Sequence, residues 1–153
     1  FKLCVTAQHR EMLDQVLDFF QLVPDYDLDL MQPNQSLNML GSRILSEMDS
    51  ILEKEQFDLV LVHGDTTTST LVALAAFHRN CKVAHIEAGL RTYIKQSPFP
   101  EELNRQLTGR ISDFHFCPKC PNTHQQYLQL PPSMIHQRKK NRRLLHYLVL
   151  PTP

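Results

Sequence analysis

Residues 58–91 read DLVLVHGDTTTSTLVALAAFHRNCKVAHIEAGLR, and this stretch decides the fold. An apolar run, Leu59 to Val62, stops at His63-Gly64-Asp65, and a helix-like segment follows. A second apolar run, Val83 to Ile86, stops at Glu87-Ala88-Gly89. The pattern predicts strand, helix, strand, with a carboxylate just past each strand. In open parallel sheets ligands bind outside the carboxyl ends of the strands. Two acids delivered to that rim are what a site for proton transfer needs.

The same alternation extends outward in both directions. Phe1 to Thr6 reads as a short strand, and Met12, Leu13, Val16, Leu17 and Phe20 mark a helical face that ends at Val23-Pro24. Tyr26 to Leu30 alternates with aspartates as a short strand does. Ser36 is placed as the N-cap of a helix carrying Leu37, Leu40, Ile44, Leu45, Met48, Ile51 and Leu52 on one side. Phe57 to His63 is too apolar for one-sided exposure, so burial between helix layers is expected. Thr66 to Arg79 reads as a helix with an apolar face from Leu71 to Phe77, and Glu101 to Ile111 as another that opens with two acids suited to its dipole. Phe114 to Phe116 opens a further strand. The class is α/β with a mostly parallel sheet.

Beyond residue 116 the pattern fails until Leu144 to Leu150, and no strand is seen returning to the sheet, so an exposed edge prone to aggregation is expected. All 16 acidic residues lie between Glu11 and Asp113, while residues 118–153 hold six basic residues and six of the ten prolines. Residues 1–116 are therefore expected to form the domain, and 117–153 a divergent, basic, proline-rich tail. The formal net charge of zero argues against a dedicated nucleic-acid binder. No apolar stretch approaches the ~20 residues of a membrane span. Four scattered cysteines do not make a disulfide scaffold and fit a reducing cytoplasm. Phe1 is not a natural start, so the chain is expected to lack its beginning.

Each candidate motif has a plain reading beside the functional one. Gly64 permits a sharp turn, and Thr66 to Thr68 set hydroxyls and free amides at a helix N-terminus, an anion site. Asp65 there either caps the helix or faces a ligand. His85 is either a hydrogen-bonded core residue or a rim group sharing a face with Glu87, whose plain partner is Arg91. Ser97-Pro98-Phe99-Pro100 is a stiff loop that delivers Glu101 either to a helix dipole or to the same rim as Asp65 and Glu87. Neighbouring carboxylates push one another's proton affinity apart, which suits acid–base chemistry at carbon. Gln8-His9-Arg10 follows the first strand and is either a surface turn or a set of sugar or phosphate donors. Cys117, Cys120, His124 and His136 lack zinc-finger spacing, so no metal is expected, and the basic run 138–143 is a solvated charge run before it is a phosphate contact.

The strings TAQHREMLDQVL, PDYDLDLMQP, LVLVHGDTTTS, HIEAGLRT and SPFPEELNRQLTG, in this order, closely resemble the bacterial non-hydrolysing UDP-N-acetylglucosamine 2-epimerases over residues 1 to about 116. The resemblance implies a Rossmann-like parallel sheet with helices on both faces, one half of a GT-B-type two-domain fold, with the site between domains. It implies interconversion of UDP-N-acetylglucosamine and UDP-N-acetylmannosamine through elimination and re-addition of UDP, without a cofactor, in an enzyme that is a homodimer when complete. Asp65, Glu87 and Glu101 take the catalytic positions, and Gln8, His9, Arg10, His63, Thr66 and Arg91 the substrate-binding ones. The family's first strand and its Gly-Thr-Arg-Pro-Glu loop would precede Phe1, and its second domain would follow. The expected alternatives are a hydrolysing epimerase and a non-catalytic product that acts only in binding.

Overall fold

The computed structural model describes residues 1–7, 10–117 and 144–147. In chain order the elements are β1 (Lys2–Val5), α1 (Arg10–Phe19), β2 (Tyr26–Asp27), α2 (Leu37–Lys54), β3 (Leu59–His63), α3 (Thr67–His78), β4 (Lys82–Ile86), α4 (Glu101–Ile111), β5 (Phe114–Phe116) and β6 (Leu144–Tyr147). They build one sheet of order β2-β1-β6-β3-β4-β5 in which every pairing is parallel. Parallel pairing puts the carboxyl ends of all the strands on one edge, and that edge carries the site.

The period of two in β1 divides the core. Leu3 and Val5 point to one face, where Leu13 and Leu17 of α1 cover them. Cys4 points to the other, into the larger cluster of Ile44, Met48, Val60, Val62, Val72 and Val83 beneath α2 and α3. Helices therefore flank both faces, as expected of a doubly wound sheet. On β3 only Val60 and Val62 are buried, whereas Leu59, Leu61 and His63 are half-buried. The expectation that this strand is buried on both sides holds for one face. Helix α3 is enclosed by α2, the sheet and α4, which is why so many of its residues are small: Ser69, Ala73, Ala75 and Ala76 are all buried. Phe77, assigned to its apolar face, is instead 60% exposed. Ser36 caps α2 as expected, its Oγ accepting the Met39 amide at 3.2 Å.

The centre of the sheet departs most from expectation. No returning strand was legible, yet β6 lies between β1 and β3, with Leu3 opposite His146 and Leu61 opposite the same residue. The exposed edge is therefore absent at that position. The reason is compositional: Leu-Leu-His-Tyr is short but apolar enough for an interior parallel strand. In the usual doubly wound order 3-2-1-4-5-6, β6 stands where the first strand of the chain would stand. Helix α1 and β2 are also shorter than the sequence suggested, because chain reversal at Gln21 (φ +53) ends the helical run early and only Tyr26 and Asp27 pair with β1.

Candidate functional site

The site is built from the carboxyl ends of β3 and β4 and the first turns of α3 and α4. After His63 the chain reverses at Gly64, whose φ of +73° belongs to the left-handed region open to glycine, and the Gly64 amide donates to the Ile86 carbonyl at 3.0 Å. His85, 2% exposed, adds a second tie: its Nε2–H donates to the Gly64 carbonyl at 2.7 Å. Burial pushes the His85 imidazole below its ordinary proton affinity, the bond to Gly64 opposing this, which favours the neutral ring, and among the described residues its buried Nδ1 has no partner. The core reading of His85 is the one the structure bears out. An alanine at position 64 has room, since its Cβ meets Glu87 Oε2 at 3.8 Å, but not the backbone. Gly64→Ala should cost about 1–2 kcal/mol, seen as a lower urea midpoint with an unchanged slope.

Asp65 does not cap α3. That task falls to Thr66, whose Oγ1 accepts the Ser69 amide at 3.1 Å. Thr66 is thereby committed to the helix, while the Asp65 side chain turns to Arg105 of α4, with Asp65 Oδ2 in an ion pair 2.6 Å from Arg105 Nη2. Asn104, also buried, fixes the backbone beneath: its amide donates to the Asp65 carbonyl at 2.9 Å. A Thr70–Thr108 hydroxyl pair at 2.9 Å completes the polar seam between α3 and α4.

Glu87 follows β4 at φ +65, so strand alternation no longer governs its direction. A residue with a Cβ held there carries about 1–2 kcal/mol of backbone strain, a cost that persists at functional sites. Its carboxylate meets His63 Nε2 at 3.1 Å, which joins the ends of β3 and β4. The expected Arg91 partner is engaged elsewhere: Arg91 Nε donates to Glu102 Oε1 at 2.9 Å. Glu101 opens α4 after Pro100, and among the described residues its carboxylate has no hydrogen bond or ion pair. It lies one turn before Arg105 and so shares that residue's face of the helix. Asp65, Glu87 and Glu101 are thus carried by three neighbouring segments of one rim, each in a different setting.

Arg10 is not part of this group. It pairs at 2.5 Å with Asp27, the last residue of β2, three strand spacings or about 14 Å along the sheet from β3. Gln8 and His9 lie outside the described residues, as do Cys120, His124, His136 and the run 138–143. Among the described residues no three His, Cys, Asp or Glu side chains gather as a metal site would require, and no helix is long and apolar enough to cross a membrane.

Sequence reasoning overlooked Glu102. Its side chain is 0% exposed, and it accepts from Arg91, from the Thr92 amide at 3.0 Å and from Gln106 at 3.0 Å, with Arg105 Nη1 at 3.7 Å. Burial raises its proton affinity, but the Thr92 amide, Gln106 and Arg91 outweigh that and bring its pKa down to about 2. The spacing Glu102-x-x-Arg105 was the available signal, an i,i+3 pair on a helix.

The family model described as UDP-N-acetylglucosamine 2-epimerase matches residues 1–130, which carries the match past the junction expected at Cys117. The UDP-N-acetylglucosamine 2-epimerase of Neisseria meningitidis serogroup A is 56% identical over 117 residues, 76% of this chain and 32% of that protein. The Escherichia coli K12 protein of the same name is 57% identical, over 76% of this chain and 31% of its own. A crystal structure of the N. meningitidis epimerase bound to UDP-GlcNAc superposes with a TM-score of 0.72 at 56% identity, covering 76% of this chain and 31% of that one. A Methanocaldococcus jannaschii epimerase in complex with UDP-GlcNAc and UDP superposes at 0.68 with 29% identity, covering 77% and 40%. The chain spans about a third of the length of the curated relatives it matches.

Proposed function

We propose, from the premise that the chain belongs to the UDP-N-acetylglucosamine 2-epimerase family, that it supplies the acid–base half of an enzyme interconverting UDP-N-acetylglucosamine and UDP-N-acetylmannosamine. The observation that carries this reading is the rim itself: three carboxylates at the carboxyl edge of a parallel sheet, one held by arginine, one by histidine and one without a partner among the described residues. Epimerisation at C2 needs a base on one face of the sugar and an acid on the other. As the C2 proton leaves, the C1–O bond to UDP breaks and a C1=C2 double bond forms. A proton returned to the opposite face, with re-addition of UDP at C1, completes the change. Asp65, Glu87 and Glu101 are the acid–base set in this reading, and His63 orients Glu87. Residues 1–116, with β6 in the middle of their sheet, form the catalytic domain, and no cofactor takes part.

The uridine and diphosphate are assigned to a second domain, in a cytoplasmic homodimer that feeds polysaccharide synthesis. A hydrolysing epimerase is the less favoured reading, since the relatives carry the epimerase name alone. The test is fragment complementation. The chain is incubated in D2O with UDP-N-acetylglucosamine, alone and together with the part of the N. meningitidis relative that it does not match. Deuterium at C2 is expected in the mixture and little or none with the chain alone. Absence of C2 exchange in both would count against the reading, and free N-acetylmannosamine would favour the hydrolysing one.

A further inference from the structure

We propose that Arg105 is a positioning residue that sets the Asp65 carboxylate for reaction, anchored from behind by the buried Glu102. The proposal rests on the reading of Asp65 as one of the acid–base carboxylates. Arg105 is well covered and sits between two acids, its Nη2 on Asp65 Oδ2 at 2.6 Å and its Nη1 toward Glu102 Oε2 at 3.7 Å. A guanidinium lodged between two carboxylates is restrained in orientation, because its donors lie in one rigid plane. Glu102 cannot yield, because three further donors hold it: Arg91, the Thr92 amide and Gln106.

The direction of the contact distinguishes positioning from ordinary pairing. Arg105 takes one oxygen of Asp65 and leaves the other, Oδ1, without a hydrogen bond among the described residues. A fork-to-fork pair would occupy both oxygens. The one-sided contact fixes the rotamer of the carboxylate and keeps a lone pair available. The same anchor reaches Thr92, on the segment that follows Glu87, and resides on the helix that begins with Glu101. One buried carboxylate therefore ties together the three segments that carry the rim acids.

The test uses the full chain with arginine labelled with 15N. The Arg105 Nη signals are expected to be separate and slowly exchanging in the parent, and to collapse to an averaged pair in Asp65→Asn. An averaged Arg105 signal in the parent, or one indifferent to Asp65→Asn, would overturn the link. In the complementation assay, Arg105→Gln should lower kcat for C2 exchange by about 100-fold, the order expected of a misplaced reacting group, with KM changed less than about threefold. Arg105→Lys should recover part of the loss. Unchanged kcat in Arg105→Gln would overturn the positioning role. If the parent mixture exchanges nothing at C2, the epimerase reading fails, and the guanidinium signals still decide whether Arg105 holds Asp65.

Discussion

Glu102→Gln should lower the free energy of unfolding at pH 7 by about 2–4 kcal/mol, and the deficit should shrink as the pH falls. Breaking a buried ion pair by removing one partner costs about 3–5 kcal/mol, because the other charge stays behind uncompensated. The lower part of that range applies here, since the guanidinium groups left behind, Arg91 and Arg105, are partly exposed and solvent screens them. The pH dependence follows from the sign of its shift. The folded-state pKa, about 2, lies below the ordinary value of 4.5, so the unfolded chain takes up the proton first. The stability owed to the ionised carboxylate is complete above about pH 4.5 and is lost as the pH falls through about 2. Urea titrations of parent and variant at pH 7, 4 and 2.5 check this. A gap equally wide at pH 7 and pH 2.5 would remove the charge from the explanation.

Glu87→Gln should reduce C2 exchange in the complemented enzyme by about 10²–10⁴-fold, the contribution typical of a general acid or base. The amide keeps the size of the side chain and one acceptor oxygen for His63 Nε2, so the site stays assembled while the proton acceptor is lost. His63→Gln should cost much less, because it loosens the orientation of Glu87 without removing it. The circular dichroism of both variants should match the parent, which separates chemistry from folding. If Glu87→Gln keeps more than a tenth of the parent exchange rate, Glu87 is a structural partner of His63 and the proton passes through Asp65 and Glu101.

The parallel α/β class, the helix faces and the three rim acids were legible because each rests on local pattern. Apolar runs of four or five residues ended in Gly64 and Gly89, and both glycines take positive φ. The partners of the acids were not legible, because they depend on where separate helices dock. Arg91 is four residues from Glu87 in sequence, yet it turns to Glu102, since the chain between them bends at Glu87 and Gly89. Asp65 could equally cap the helix or face a ligand by pattern alone, and it is Thr66, one residue later, that holds the cap position. Arg10 follows β1 at the same edge of the sheet, but the sheet order sets that strand two places from β3, a separation no local pattern encodes. The position of β6 was the least legible feature, since a four-residue run carries almost no periodicity.

That central strand has a consequence for how the molecule comes into being. Strand pairing between β2-β1 and β3-β4-β5 passes through β6 alone among the described residues, with Lys2 beside Leu145 and Leu59 beside Leu144. Neighbours in the middle of the sheet are thus far apart along the chain, and such pairings are slow to form because loop closure precedes any reward. The two half-sheets can assemble from local contacts as the chain emerges, whereas their union waits for residues 144–147. A ribosome extending at about 5–20 residues per second would hold the halves apart for seconds after β5 has been made, each with an open inner edge. The carboxylates that follow β3 and β4 would already lie side by side by then, on a half-sheet whose inner edge is still open.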